Sequence, residues 1–242
     1  MHNYDQGVAR SYAAYRPPLH GRILDLALSR QRFALGLDIG CGTGQSAHAL
    51  ARFCQRVIGT DTSASMLADA LPHAGIEYRL SQNEQLPILP GDIGDGIEIV
   101  TLAGVLPYLD AHRLVSELGR IGKPDALILV YDFKVDLTPL EQAAGLDARA
   151  SSDAYDHSAN LDGASGIRTE TKVSFQTVFD AKPADAAHLL LSSHRRYQML
   201  AARYGCDDPL QPVSEAVAKA GSTLRLRANL WYAAHRRSDG SI

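Results

Sequence analysis

The sequence is poor in cysteine and has no long apolar run. Its 242 residues include three cysteines, and the spacing of Cys41, Cys54 and Cys206 fits no metal-binding motif. Because three thiols cannot all pair within one chain, we expect them to be reduced, as in a cytoplasmic protein. The N-terminal residues contain no stretch of signal-peptide or membrane-spanning character, so we expect no membrane partner.

Charge of one sign is not concentrated anywhere in the chain. Lys and Arg number 24 against 27 Asp and Glu, which gives a formal net charge of −3. Because proteins that bind nucleic acid usually present a basic face, a nucleic-acid partner is not expected. The phosphate-binding pattern Gly-x-x-x-x-Gly-Lys-Ser/Thr does not occur either, which disfavours ATP or GTP as a ligand.

A glycine-rich turn is the main positive feature. From Leu37 to Gly44 the sequence is LDIGCGTG, the pattern of a buried strand that ends in a turn and leads into a helix. Glycines at positions 40, 42 and 44 allow a tight turn and a close approach of the backbone to a ligand. The N-terminus of the following helix offers N–H groups and the positive end of the helix dipole. The pattern predicts a cradle for a nucleotide-like ligand.

Two carboxylates indicate which ligand this is. Asp38 stands two positions before Gly40, where a carboxylate would repel a pyrophosphate but would suit a cationic amine. Asp61 ends a second apolar segment, 21 residues after Gly40 (61−40), near the spacing at which such folds place an acid on ribose hydroxyls. A ribose and an ammonium without a phosphate describe S-adenosylmethionine (SAM). The alternative is a nicotinamide dinucleotide, whose fingerprint is Gly-x-Gly-x-x-Gly.

Further blocks of the sequence resemble the class I SAM-dependent methyltransferases, in particular their small-molecule, type 11-like group. The resemblance runs from the N-terminus to about residue 135 and continues more loosely over the last part of the chain. It is carried by blocks that stand in the family's order: 12–18, 38–44, 59–67, 81–87, 97–102 and 114–130.

The resemblance implies a Rossmann-like, doubly wound α/β fold. Its seven-stranded sheet would have the order 3-2-1-4-5-7-6, with strand seven antiparallel. Independently, the alternation of apolar strand-like and helix-like segments predicts a parallel α/β sheet. We expect one domain over residues 1–242, with a helix from Pro183 to about Arg203. Residues 134–166 lack a periodic apolar pattern, so we expect a small, partly helical cap inserted there after strand five.

The resemblance also implies roles for the residues of the turn. The backbone at Gly40, Gly42 and Gly44 would approach the methionine and ribose portions of SAM. Asp38 would act on the amino group, directly or through water, and Asp61 would bind both ribose hydroxyls.

Other blocks would complete the cofactor site. These further cofactor-binding candidates are Tyr15 and Arg16 near the carboxylate, Thr62, Gln82 and Asn83 near the adenine, and Leu102 and Ala103 along the methionine arm. At the position of Gln82 the family often has an Asp, but the amide oxygen of Gln82 can accept the same hydrogen bond.

The acceptor is expected to be a small molecule with an O, N or C nucleophile. Residues 102–108, LAGVLPY, lack the Asn/Asp-Pro-Pro-aromatic motif that nucleic-acid amine methyltransferases use on a flipped base, and no Pro-Cys nucleophile occurs. Transfer from a sulfonium depends mainly on alignment, and a base is needed only when the nucleophile must lose a proton.

The catalytic candidates are Tyr108 and His157, and His157 directly follows Asp156 in the sequence. The alternative for His157 is a solvent-facing loop. Asp136, Asp147 and Asp153 form no convincing metal set, so no metal is expected. Two other functions stay open: a SAM-binding protein without transfer activity, and an RNA methyltransferase.

Overall fold

The computed structural model describes residues 6–82, 85–147 and 157–238. The strands in this part of the chain are β1 (Phe33–Ile39), β2 (Cys54–Asp61), β3 (Ile76–Leu80), β4 (Ile97–Ala103), β5 (Gly122–Val135), β6 (Ile167–Ala181) and β7 (Leu224–Arg237). The α-helices are α1 (Gln6–Ala14), α2 (Leu19–Leu28), α3 (Gln45–Ala51), α4 (Ala64–Ala68), α5 (Pro90–Ile93), α6 (Ala111–Ile121), α7 (Thr138–Ala143), α8 (Pro183–Leu191), α9 (His194–Tyr204) and α10 (Leu210–Ala218). None of these helices is long and apolar enough to cross a bilayer.

The strands form one sheet in the order β3-β2-β1-β4-β5-β7-β6. The first five of these, from β3 to β5, pair in parallel. β7 is antiparallel to β5, as two contacts at its ends show. The amide of Asp136, just after β5, donates to the Arg227 carbonyl near the start of β7. The Arg237 guanidinium at the end of β7 donates to the Gly122 carbonyl at the start of β5. The predicted fold class and strand order are confirmed.

The parallel register brings the carboxyl ends of β1, β2, β4 and β5 to one edge of the sheet. Asp38 is aligned with Gly59 of β2 and with Thr101 of β4, and Ala103 is aligned with Tyr131 of β5. β4 is buried along most of its length, as expected for a strand that is covered on both faces. Ligands of open α/β sheets bind outside such an edge.

The chain divides into two compact units. The first comprises 1–17, 134–155 and 176–229, and the second comprises 18–133, 156–175 and 230–242. The predicted cap, 134–166, is shared between them, and its residues 148–156 lie outside the described part of the chain. The single domain and the cap stay predictions.

The first unit packs its helices around α8, which buries five apolar side chains. The core of this unit also holds the Glu141 carboxylate, 3.7 Å from the Arg196 guanidinium. Both side chains are almost fully buried, so the ion pair offsets the cost of removing each charge from water.

The single helix predicted from Pro183 to Arg203 is wrong, because the structure has two helices there. The Ser192 hydroxyl donates to the Leu189 carbonyl, and Ser193 takes an extended conformation (φ −112°, ψ 127°) that ends the helical path. Serine side chains compete in this way for backbone groups and favour helix ends.

Candidate functional site

The three glycines of the turn all have left-handed backbone conformations, with φ of 71° at Gly40, 54° at Gly42 and 87° at Gly44. A Cβ at Gly40 would lie 2.5 Å from Val105, and one at Gly44 would lie 2.1 Å from the Tyr78 hydroxyl. At Gly42 the nearest described atom is the Met66 sulfur, at 3.4 Å, an ordinary contact distance. Two of the glycines are therefore required by the protein's own packing, while at Gly42 a Cβ would make only an ordinary contact with Met66.

Asp61 is tied to this turn by its side chain. Its two carboxylate oxygens accept hydrogen bonds from the amides of Gly42 and Ser63, each at 2.8 Å. The Ser63 hydroxyl caps α4 by accepting from the amide of Met66 at 3.3 Å. Each oxygen of Asp61 can accept a further hydrogen bond. The carboxylate can therefore bind a pair of hydroxyls while it keeps its hydrogen bonds to the two backbone amides.

Asp38 is completely buried beneath the turn. Its carboxylate accepts hydrogen bonds from the Ser46 hydroxyl and, at 2.7 Å, from the Thr101 hydroxyl. Burial, with a smaller contribution from the charge of Asp61, raises the pKa of Asp38 to about 6 against the lowering effect of these two hydrogen bonds. Asp38 therefore links β1, β4 and α3, and places a negative charge under the glycines.

The other predicted cofactor residues of the second unit have different exposures. Thr62 and Gln82 are exposed, Leu102 is buried in the core, and Ala103 is half-buried at the end of β4. The backbone of Gln82 accepts from the amide of Gln85 at 3.2 Å, which closes a small turn after β3. Asn83 lies outside the described residues.

Tyr15 and Arg16 belong to the first unit. The Arg16 guanidinium lies 3.8 Å from the centre of the Tyr12 ring and donates to the Tyr12 hydroxyl at 2.9 Å. Burial, and secondly the charge of Asp185, raises the pKa of Tyr15. The contact of Tyr15 and Arg16 with a cofactor stays a prediction.

The two catalytic candidates have different environments. Tyr108 lies in a short 3₁₀-helix after β4 (Leu106–Tyr108), and its side chain is 70% exposed. The Nδ1 atom of His157 lies 2.9 Å from a carboxylate oxygen of Asp132, whose other oxygen accepts from the Phe133 amide at 2.7 Å. His157 and Asp132 have side-chain exposures of 25% and 18%, so the pair is shielded but reachable from solvent.

Asp132 and Trp231 are residues that the sequence did not single out for this site. The sequence suggested Asp156 as the partner of His157, but Asp156 lies outside the described residues, and the carboxylate that contacts the ring is 25 residues away in sequence. The rings of His157 and Trp231 meet edge to face with 5.3 Å between their centres. A usable signal was the position of Asp132, which directly follows the buried part of β5 at the ligand-binding edge.

The Asp132–His157 pair and the glycine turn lie along the same edge. A Cβ built at Gly40 meets the side chain of Val105, and one built at the neighbouring Gly104 would lie 3.2 Å from an Asp132 oxygen. The segment that follows β4 therefore contacts the turn on one side and Asp132 on the other. Within the described ranges no three His, Cys, Asp or Glu side chains are grouped as a metal site.

The comparisons with known proteins agree with the fold. Residues 37–130 match a family model described as a methyltransferase domain. A solved structure of a proposed type II methyltransferase from Anaeromyxobacter dehalogenans has the same fold, with a TM-score of 0.61 over 92% of this chain and 95% of that one at 22% identity.

Curated relatives are similar over part of their length. A ubiquinone biosynthesis O-methyltransferase of Brucella melitensis is 33% identical over 100 residues, which is 39% of each chain. A proposed methyltransferase of Dictyostelium discoideum is 23% identical over 128 residues, 52% of this chain and 47% of that protein. The matches thus span less than half the length of these relatives.

Residues 37–130 therefore match a methyltransferase domain. The strand order is the one that the sequence predicted from its resemblance to the class I, SAM-dependent methyltransferases. The domain model begins at Leu37, one residue before the buried Asp38, and ends within β5 at Val130.

Proposed function

We propose that this protein transfers the methyl group of SAM to a small-molecule acceptor. The observation that carries the proposal is the pairing of Asp61 with Gly42: the carboxylate is fixed by two backbone amides, beside the one glycine of the turn whose Cβ position is not blocked by a described side chain. This arrangement fits a ribose, whose two hydroxyls can donate to the two oxygens of one carboxylate.

The described residues fit the remaining parts of the cofactor. When bound, SAM supplies a methyl group on a positively charged sulfur. The charge of Asp38 beneath the turn would attract the cofactor's ammonium group, while Ala103 and the backbone after β4 would flank the methionine arm. The protein's own contribution is to hold the two reactants in line and to exclude water, since the leaving group needs little further activation.

The proposed contacts can be separated with two ligands. S-adenosylhomocysteine has both the ribose and the amino-acid portion, whereas 5′-methylthioadenosine has the ribose but no amino acid. We expect calorimetry to show that Asp61→Ala abolishes binding of both ligands, because the ribose contact is common to them. Asp38→Asn should weaken binding of S-adenosylhomocysteine much more than binding of 5′-methylthioadenosine.

Control variants address local misfolding. Asp61→Asn keeps one oxygen for the turn and should still lose at least tenfold in affinity, because one charged hydrogen bond contributes about 1.5–3 kcal/mol. Asp25→Asn, a change at an exposed ion pair with Arg52, should leave both affinities unchanged. Full affinity for both ligands in a folded Asp61→Asn protein would rule out the assigned ribose site.

A Gly42→Ala variant gives an independent test. Among the described residues a methyl group there meets no atom closer than 3.4 Å, so the stability cost should be limited to the left-handed backbone, about 1–2 kcal/mol. The affinity for S-adenosylhomocysteine should fall further than stability predicts, because the methyl group occupies the space assigned to the ligand.

A further inference from the structure

The contact between Asp132 and His157 determines where the imidazole carries its proton. A carboxylate can only accept, so the Nδ1 atom at 2.9 Å must donate to it. In the neutral ring Nε2 is then the basic nitrogen. The Phe133 amide fixes the orientation of the Asp132 carboxylate from the other side. This is the arrangement in which a histidine takes a proton from a neutral group.

The surroundings of the pair favour an uncharged group that carries an oxygen. The Trp231 ring stands at an angle of 77° to the His157 ring. Its indole N–H is buried and has no hydrogen-bond partner among the described residues, a condition that costs free energy until an oxygen is supplied. Asp132 adds a negative charge, which would repel a carboxylate ligand.

We propose that the acceptor is a phenol-type hydroxyl compound, with His157 as the base and Asp132 as its positioning residue. This inference rests on the proposed methyl transfer. The hydroxyl oxygen forms the new bond to the methyl carbon as the carbon–sulfur bond breaks and its electron pair returns to sulfur. The hydroxyl proton passes to Nε2 and afterwards to water, and the products are a methyl ether and S-adenosylhomocysteine.

A phenol is the acceptor class that gains most from this base. A carboxylic acid is already ionised near pH 7 and needs no base, whereas a phenol, with a pKa of about 10, keeps its proton. A neutral amine can attack before it loses a proton. General-base catalysis raises a reaction rate by about 10²–10⁴-fold. The need for a base should therefore dominate the choice of acceptor.

The first test measures the tautomer and needs no acceptor. Nitrogen-15 NMR of the full chain saturated with S-adenosylhomocysteine should show the proton of neutral His157 on Nδ1. In Asp132→Asn the side-chain amide can donate to Nδ1, so the proton should move to Nε2. Asp25→Asn should keep the wild-type tautomer. A proton on Nε2 in the wild-type protein would overturn the proposal.

The second test compares acceptors that share a ring. Methyl transfer from radiolabelled SAM is measured with a panel of substituted phenols and with the anilines and benzoates of the same substitution. We expect the wild-type protein to methylate phenols. The rate of this transfer should fall by at least 100-fold in His157→Gln and in Asp132→Asn, while the affinity for S-adenosylhomocysteine stays unchanged. A preference for anilines or benzoates, or undiminished phenol methylation in His157→Gln, would overturn it.

The two proposals fail in different ways. If the wild-type protein does not bind S-adenosylhomocysteine, the methyltransferase function itself is wrong. If it binds S-adenosylhomocysteine but carries the wrong tautomer or prefers an amine, only the acceptor class and the role of His157 are wrong.

Discussion

At the scale of single residues, the site combines a buried acid with an anchored one. Asp61 is held by backbone amides, and its position follows from the turn. Asp38 has no exposed surface, and its negative charge is opposed by burial. A cationic ligand above the turn would stabilise that charge, so binding of the proposed cofactor would reduce the cost of burying Asp38.

Asp38 should therefore make folding pH-dependent. Its folded pKa of about 6 lies above its ordinary value of 3.8, so the folded state binds more protons in this range. The contribution of Asp38 to the free energy of unfolding should fall by roughly 3 kcal/mol as the pH rises from about 4 to about 6. Above that pH it should stay constant. Asp38→Asn should remove this decline, as measured by urea unfolding at pH 4.5 and 7.5.

The same group links ligand binding to pH. The affinity for S-adenosylhomocysteine should rise as Asp38 ionises through about pH 6, and Asp38→Asn should flatten that rise. The 5′-methylthioadenosine affinity serves as the internal reference, because this ligand lacks the ammonium. An identical pH profile for the two ligands would contradict a role of Asp38 at the amino group.

At the scale of elements, the segment that carries His157 is attached to the sheet by another histidine. His235 of β7 is fully buried, and its Nε2 accepts from the Leu161 amide at 3.4 Å. Its Nδ1 lies 3.0 Å from the Thr169 hydroxyl, which donates to the Asp162 carboxylate. Asp162 also pairs with Lys172.

Acid should loosen this attachment. Burial lowers the pKa of His235 below 6.5, while the nearby charge of Asp162 raises it and that of Lys172 lowers it. The unfolded state then binds the proton more readily, so stability is complete above about pH 6.5 and falls as the pH drops below that value. His235→Gln should reduce this acid sensitivity in thermal unfolding between pH 5 and 7, and the exposed-site control His112→Gln should not.

Element boundaries show how local signals compete. Ser63 and Asp110 show the kind of side chain that marks a helix start, because both accept from amides of the first turn that follows them. The break at Ser192 and Ser193 was missed because the apolar period continues across it on both sides. Helix α1 was also missed, since its sequence has neither an acidic first turn nor a basic last turn.

At the scale of the whole molecule, charge separates the candidate functions. A net charge of −3 gives no general attraction to a polyanion. We expect fluorescence anisotropy with a labelled single-stranded RNA to show no binding tighter than about 10 μM at 0.15 M salt. Salt-dependent binding at lower concentrations would favour the RNA methyltransferase alternative, whereas saturable binding of S-adenosylhomocysteine without RNA binding would disfavour it.

The sequence by itself indicated the strand order, through its family resemblance, and the turn that we propose as the cofactor half of the site. The reason is that this half is local: the glycines that take positive φ, the acid before them and the acid at the end of β2 lie within a short stretch and a regular spacing. Such a turn depends mainly on the missing side chains of its glycines, so the pattern LDIGCGTG is sufficient to indicate it.

The tertiary structure alone decided the partner of His157 and the division of the chain. Asp132 and Trp231 reach His157 because β5 and β7 are neighbours in the sheet, and neither sequence separation nor residue type contains that information. The same holds for Gly42: all three glycines look alike in the sequence, and only the packing of Val105 and Tyr78 against the other two shows which one has room for a Cβ.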